Sequence, residues 1–216
     1  MSDLQDILNV NAKSFLNDQY LNYMFHEIEK EERAPFIRAI QKAFIKQTIG
    51  ANQSYCIGDK ATDGVRSLAL MLPPQVSWPE DLWEVYTQKQ EKILLGRSLT
   101  DTYDRFIELE EFFSERFEHF NAIDGYYLLI LSTDETYRGQ GLANKIMNIL
   151  VEKLDREQKS CYLECTNSKL LTFYERYGFQ ALQTTNLPII PANISLDLVP
   201  KVTFFKRMPK PLTSNQ

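Results

Sequence analysis

The sequence is poor in the residues that hold disulfide-rich or metal-stabilised proteins together. Its three cysteines, Cys56, Cys161 and Cys165, are an odd number in 216 residues. That is too few for a disulfide framework, and a reducing, cytoplasmic setting is expected. Histidine is scarcer still, with only His26 and His119. No second cysteine pair accompanies Cys161 and Cys165, so both read as buried thiols and no metal site is expected. No apolar run approaches the roughly 20 residues that cross a bilayer. The opening Met-Ser-Asp-Leu-Gln-Asp has no basic or apolar leader character. Neither a membrane nor a secretory route is therefore expected. A basic surplus is missing too: 24 Lys+Arg face 29 Asp+Glu, a net charge of −5, which argues against a nucleic-acid partner. Repeats, low-complexity tracts and Gly/Ser linkers are absent. The Pro73-Pro74 to Pro79 and Leu187-Pro188 to Pro191 stretches have loop length only, so one domain over 1–216 is expected.

What is present suits a folded α/β protein. Apolar residues make up 44% of the chain, including 13 Phe and 11 Tyr, which supplies a core. The charge is uneven. Residues 1–120 hold 13 basic and 20 acidic side chains, a net −7, whereas residues 121–216 hold 11 and 9, a net +2.

The first third reads as helical. Phe15, Leu16, Tyr20, Leu21, Met24 and Phe25 form a stripe interrupted at Asn17-Asp18. Pro35 suits the start of a second helix with Phe36, Ile37, Ile40, Ala43 and Phe44 on one face and Gly50 at its end. Ser54 to Ile57 and Val65 to Leu72 read as strands around a turn at Lys60 to Gly64. Asp101 or Thr102 is placed to cap a long helix in which Phe106, Leu109, Phe113, Phe117 and Phe120 share a face. Glu108, Glu111, Glu115 and Glu118 form its solvated side. The continuous apolar run Tyr126 to Leu131 predicts a strand buried on both faces. Leu142, Ile146, Leu150 and Leu154 recur every four residues, as in an amphipathic helix. Cys161 to Cys165 reads as a strand and Lys169 to Tyr177 as a short helix stopped by Gly178. Ile194 to Leu198 and Val202 to Lys206 read as two last strands. The alternation predicts an α/β sheet with a crossover unit.

Chemistry concentrates in Leu131-Ser-Thr-Asp-Glu-Thr-Tyr-Arg138-Gly139-Gln140-Gly141-Leu142-Ala143-Asn144. A strand runs into a glycine loop that opens onto a helix, where free amides and the helix dipole favour an anion such as a phosphate. The dinucleotide fingerprint fails, because Asn144 stands where a third glycine or alanine is required. The phosphate-loop Gly-Lys-Ser/Thr is absent. A plain glycine-rich turn and a nucleotide-phosphate binder remain as readings of this loop alone.

Arg138-x-x-Gly141-x-Ala143 after an apolar strand resembles the acyl-CoA signature of the GNAT superfamily of N-acetyltransferases. About 30 residues on, Leu163-Glu164…Asn167…Phe173-Tyr174-Glu175-Arg176-Tyr177-Gly178-Phe179 resembles the second element of that family, in a form close to puromycin-type acetyltransferases. Tyr126-Tyr127-Leu128-Leu129-Ile130-Leu131 is similar to the family's central strand. One departure stands out: relatives often carry a histidine where this chain has Gly125, so an acceptor contact made there is lost.

The resemblance implies a mixed, strongly twisted sheet, splayed at the acyl-CoA site and flanked by helices. It divides the chain into an acceptor-side helical part (about 1–120), an acyl-CoA core (about 121–182) and C-terminal strands (about 183–208). It implies acetyl-CoA as co-substrate, held through Leu131, Ser132, Thr133, Arg138, Gly139, Gln140, Gly141, Leu142, Ala143, Asn144, Asn167 and Tyr174. Tyr174 would be the general acid. Glu164 matches a catalytic family position and, by strand parity, is set opposite Cys161, Leu163 and Cys165. A water-mediated base, or Glu110 or Glu111 from the long helix, stays open. Asn167 doubles as a helix cap, Tyr177 as core and His119 as an exposed side chain. A primary amine, small and cationic given the −7 half, is the expected acceptor, and the protein is expected to be a monomer or homodimer. A non-catalytic acyl-CoA-binding domain is the alternative.

Overall fold

The computed structural model describes residues 2–50, 54–59, 64–76, 80–188 and 195–211. Five α-helices and two strands precede the motif region, in the order α1 (Ser2–Ser14), α2 (Gln19–Met24), α3 (Ala34–Gly50), β1 (Ser54–Asp59), β2 (Gly64–Leu72), α4 (Glu80–Leu95) and α5 (Thr100–His119). Then follow β3 (Tyr126–Thr133), α6 (Leu142–Glu157), β4 (Cys161–Cys165), α7 (Leu171–Arg176), β5 (Gln180–Asn186) and β6 (Lys201–Arg207). Among these residues no helix is long and apolar enough to cross a membrane.

The strands form one six-stranded sheet in the order β1-β2-β3-β4-β6-β5. Every pairing is antiparallel except β3 with β4. That parallel pair is joined through α6, the crossover that the alternation predicts. Its ladder is short: Tyr126 pairs with Cys161 and Tyr127 with Tyr162. Past Tyr127 the two strands part, while β3 stays paired with β2 as far as Thr133, with one register shift between Leu70 and Met71. The sheet is thus mixed and splayed at its centre.

Two faces bury different sequence. Ile146, Met147, Leu150 and Leu154 of α6 pack on Leu128, Cys161, Leu163, Cys165 and Phe205. Both thiols are buried, and burial pushes Cys161 up to about 12 and Cys165 to about 11. The Cys56 side chain lies outside the described residues. The opposite face is covered by α2, α3 and α5 through Met24, Phe25, Ile37, Phe106, Leu109 and Phe112, packed with Tyr162 and Phe204. Glu108, Glu111, Glu115 and Glu118 face solvent, as their spacing predicts.

Several expectations change. The stripe from Phe15 to Phe25 is interrupted at Asn17-Asp18 as read, with Asp18 accepting from the Leu21 amide to start α2, but Phe15 and Leu16 lie beyond the end of α1 at Ser14. Asp101 and Thr102 do not cap α5. Leu99 holds the cap position without a side-chain bond, and Thr102 instead donates from its amide and hydroxyl to Glu27 at 2.6 and 2.8 Å. β3 is not buried on both faces. Tyr126, Leu128, Ile130 and Ser132 are buried, whereas Tyr127, Leu129, Leu131 and Thr133 are half-open because their face looks into a cleft. The last pair of strands is also different. Residues 196–198 form a 3-10 turn, Ile194 lies outside the described residues, and the partner of β6 is β5. The side chains of β5 are almost all exposed, so it leaves little apolar pattern to read. The turn positions Lys60 to Asp63, with Pro79 and Pro191, lie outside the described residues, and Gly64 opens β2 at φ 63°.

One ion pair ties the C-terminus to α6. Arg207, 2% exposed, meets Asp155 at 2.7 Å and donates from Nε to the Tyr177 carbonyl at 2.8 Å. Burial pushes Asp155 upward, but the Lys210 amide and the Arg207 guanidinium outweigh it and hold the carboxyl below its usual range. A carboxylate lowered in this way contributes stability above its unfolded pKa near 4, which is lost as pH falls through the lower folded value. Asp155→Ala is expected to cost about 2 kcal/mol at neutral pH by leaving Arg207 buried and uncompensated. The deficit, read by denaturant melts, should shrink towards pH 3.

Candidate active site

A cleft of about 610 Å3 opens where β3 and β4 part. Its floor is the half-open face of β3, and β4, α7 and the start of α6 form its sides. Residues 14–18, in the turn after α1, close it from the other side. Hydrogen bonds fix that turn to the end of β3. Ser14 Oγ donates to the Thr133 carbonyl at 3.1 Å, and Ser132 Oγ donates to buried Asn11 at 2.8 Å. Asn11 in turn donates to Gln41 of α3 at 2.7 Å.

At one end lies the glycine loop. Asp134 caps a 3-10 turn over Glu135–Tyr137 by accepting from the Thr136 amide at 2.9 Å. Gly139 and Gly141 then adopt φ 78° and 74°, the left-handed region that favours glycine. Gly141 is the N-cap of α6 and offers no side chain to its first turn. Consequently, among the described residues the amides of residues 139–144 find no protein acceptor. A Cβ at Gly139 would meet nothing within 4 Å, so the approach to these amides is open. Six unpartnered donors at the start of a 16-residue helix make a seat for a pyrophosphate-sized anion.

At the other end lie the titratable groups. Glu164 is on the face of β4 opposite the buried Cys161, Leu163 and Cys165, as parity predicts, and lines the cleft. Burial raises its carboxyl to about 7. The nearby Tyr127 and Tyr162 hydroxyls oppose that rise. Tyr162 makes no hydrogen bond of normal length, so it acts as a nearby dipole. Tyr174 lines the same cleft from α7, with its ring held between Phe173 at 5.3 Å and Phe179 and Phe205 at 6.0 Å. Its hydroxyl has no protein hydrogen bond among the described residues. Burial, reinforced by the Cys165 and Cys161 thiols, holds the phenol well above its ordinary value, so it keeps its proton.

The cleft brings together Leu131, Ser132, Thr133, Arg138, Gly139, Gly141, Leu142, Ala143, Asn144, Glu164, Asn167 and Tyr174. Gln140 does not line it. The Ser132 hydroxyl turns away to Asn11, and the Thr133 carbonyl is already bonded to Ser14. Asn167 accepts from the Lys169 amide at 3.1 Å, a cap. Tyr177 packs its ring on the core but bonds Asn144 Oδ1 at 2.9 Å, steadying the first turn of α6. His119 is exposed against Phe120. At Gly125 a Cβ would stand 2.3 Å from Ser160 Oγ and 2.6 Å from its carbonyl, so a histidine there is excluded by packing.

A second cavity of about 510 Å3 meets the first at Phe15, Asp18, Leu129, Glu164 and Thr166. Sequence reasoning missed its wall from α2 and α5. The signal was present: Glu110 sits three and seven residues before Phe113 and Phe117, inside the aromatic stripe rather than on the acidic face.

Known proteins share this fold. The family model of the acetyltransferase (GNAT) domain matches residues 109–181. A segment is 38% identical over 56 residues to N-alpha-acetyltransferase 30 of Saccharomyces cerevisiae, covering 24% of this chain and 32% of that protein. The chain therefore spans about a third of the length of that curated relative. Among solved structures, arylalkylamine N-acetyltransferase 2 of Aedes aegypti superposes with a TM-score of 0.60 at 16% identity, covering 97% of this chain and 95% of its own. The polyamine N-acetyltransferase of Drosophila melanogaster gives 0.60 at 10% identity, with 96% and 95% covered. At such identities the likeness is one of fold.

Proposed function

From the match of the acetyltransferase (GNAT) domain model to residues 109–181, we propose that the chain is a GNAT enzyme, an acetyl-CoA-dependent N-acetyltransferase of small cationic amines. The observation that carries this reading is the splayed β3–β4 gap with six unpartnered amides at one end and Glu164 and Tyr174 at the other.

The residues present fit the co-substrate. The amides of 139–144 would hold its pyrophosphate, with Arg138 at the rim. The β3 backbone around Leu131, unpaired on the β4 side, would receive the pantetheine arm as an added strand. Bound there, acetyl-CoA supplies a thioester as acyl donor. An amide near Leu131 would polarise the thioester carbonyl as it gains negative charge.

Two proton movements remain, and each has a residue. The acceptor arrives as an ammonium without a lone pair. Glu164, raised to about 7, takes its proton directly or through water. The amine nitrogen then bonds the carbonyl carbon as the carbon–sulfur bond breaks. Tyr174 gives its hydroxyl proton to the departing sulfur, and the proton shed by the newly acylated nitrogen returns through water to the phenolate. Residues 1–120 with their net −7 supply the acceptor wall, and the relatives that act on arylalkylamines and polyamines agree with a cationic acceptor.

The test has two parts. Acetyl-CoA, but neither ATP nor NAD, is expected to raise the melting temperature, and thiol release with acetyl-CoA is expected for at least one member of a primary-amine panel. Stabilisation by ATP or NAD without acetyl-CoA would overturn the cofactor assignment. Binding without thiol release from any acceptor would instead mark a non-catalytic acyl-CoA-binding domain.

A further inference from the structure

The second cavity has an unusual inventory. Its walls are aromatic, with Tyr20 and Phe113 at 5.5 Å edge to face and Phe117 and Tyr127 at 5.3 Å. Among the described residues four carboxyls line it, Asp18, Glu110, Glu111 and Glu164, and no Lys, Arg or His does. An anionic or neutral polar guest has no counterpart there, whereas a cation on an apolar body does.

The four carboxyls are not equivalent. Asp18 accepts from the Leu21 amide at 3.1 Å, and Thr166 lies beside it. Glu164 stands at the junction of the two cavities near Tyr127 and is taken by the transfer chemistry. Glu111 is exposed on the outer side of α5. Glu110 lines the second cavity only, away from the thioester end. It opens onto the cavity and is otherwise enclosed, with no hydrogen bond or ion pair among the described residues. The ionisable groups facing it are Tyr20 from α2, Tyr86 from α4 and Tyr127 from β3. None of them carries a positive charge. Enclosed carboxyls are normally paired, and none of the described residues supplies this one with a partner.

We propose that Glu110 is the second anchor of a two-nitrogen acceptor. One amine of a diamine with an apolar, flat spacer reaches the cleft beside Glu164, the spacer lies between the aromatic walls, and the other amine pairs with Glu110. This rests on the acetyltransferase reading for what happens at the first amine, but the pocket's selectivity is separable from transfer. Burial raises Glu110 to about 8. At pH 7 the carboxyl is therefore mostly protonated, and pairing with a cation displaces that proton into solvent.

The experiment is calorimetric titration without acetyl-CoA, using 1,3- and 1,4-bis(aminomethyl)benzene and the matched methylbenzylamines. At least one diamine is expected to bind ten-fold or more tightly than its matched monoamine. Its binding at pH 7 should release up to one proton more than the monoamine's, read from the dependence on buffer ionisation heat. In Glu110→Gln, which keeps size and shape, both the preference and this extra proton release should vanish, leaving the part that Glu164 contributes. The wild-type comparison needs no variant, so it stands even if the substitution impairs folding. No preference in the wild type, or a preference that persists in Glu110→Gln, would overturn the proposal. Diamine selectivity without any acetyl transfer would leave it standing and remove the catalytic reading instead.

Discussion

Glu164→Gln is expected to lower kcat/KM for the amine by about a hundred-fold, within the range that a positioned general base contributes. The pH profile decides the cause. A base must be ionised to act, so wild-type kcat/KM should rise with pH through an apparent pKa near 7, the value to which burial lifts this carboxyl. An amine acting alone would give its rising limb near its own pKa, about 10. In Glu164→Gln the limb near 7 should disappear, leaving only the one near 10. A limb retained near 7 would assign the base elsewhere, with Glu110 the next carboxyl in the acceptor chamber. The isosteric amide keeps the shape of β4 and its register with Phe204, so acetyl-CoA affinity should stay within about three-fold.

Tyr174→Phe is the second large effect. The ring is held on three sides by aromatic neighbours, and the hydroxyl has no protein partner among the described residues. Removing it therefore disturbs little packing and orphans no other polar group. The expected result is a fall in kcat of about a hundred-fold, with the dissociation constant for acetyl-CoA nearly unchanged. Turnover equal to wild type would show that the departing sulfur takes its proton from water. The raised phenol is not an obstacle to the role. It ensures that the proton is present at every working pH, and transfer need occur only as the sulfur becomes anionic.

How much of this was legible in the chain depends on how local each feature is. The crossover β3-α6-β4 was readable because it rests on local signals: a continuous apolar run, a four-residue period and glycines between them. The orientation of Glu164 was readable for a similar reason, since strand parity fixes faces. The acceptor chamber was not. Asp18 looks like a helix interruption until α1 and α2 are placed on either side of it. Glu110 looks like one more acid on an acidic helix until Phe113 and Phe117 are seen to share its side. β5 escaped because Gln180–Asn186 is almost entirely exposed, and its strand character comes from pairing with β6 rather than from an apolar face. Even the apparent double burial of β3 misled for a physical reason. Apolar residues on its open face line a ligand cleft, and composition does not distinguish a cleft wall from a core.

The parting of β3 from β4 also bears on self-association. Backbone groups without a strand beside them are a template for other chains, and proteins usually guard such edges with charge, proline or a bulge. Here the unguarded stretch lies between two strands of one sheet and not at its rim. Any guest must enter a slot with backbone on both sides, overhung by α1 and α7. A neighbouring chain would have to thread this slot with its side chains, whereas at a rim it could simply lie alongside. The place of the break, inside the sheet, thus keeps its free backbone from a neighbouring molecule that would start an aggregate.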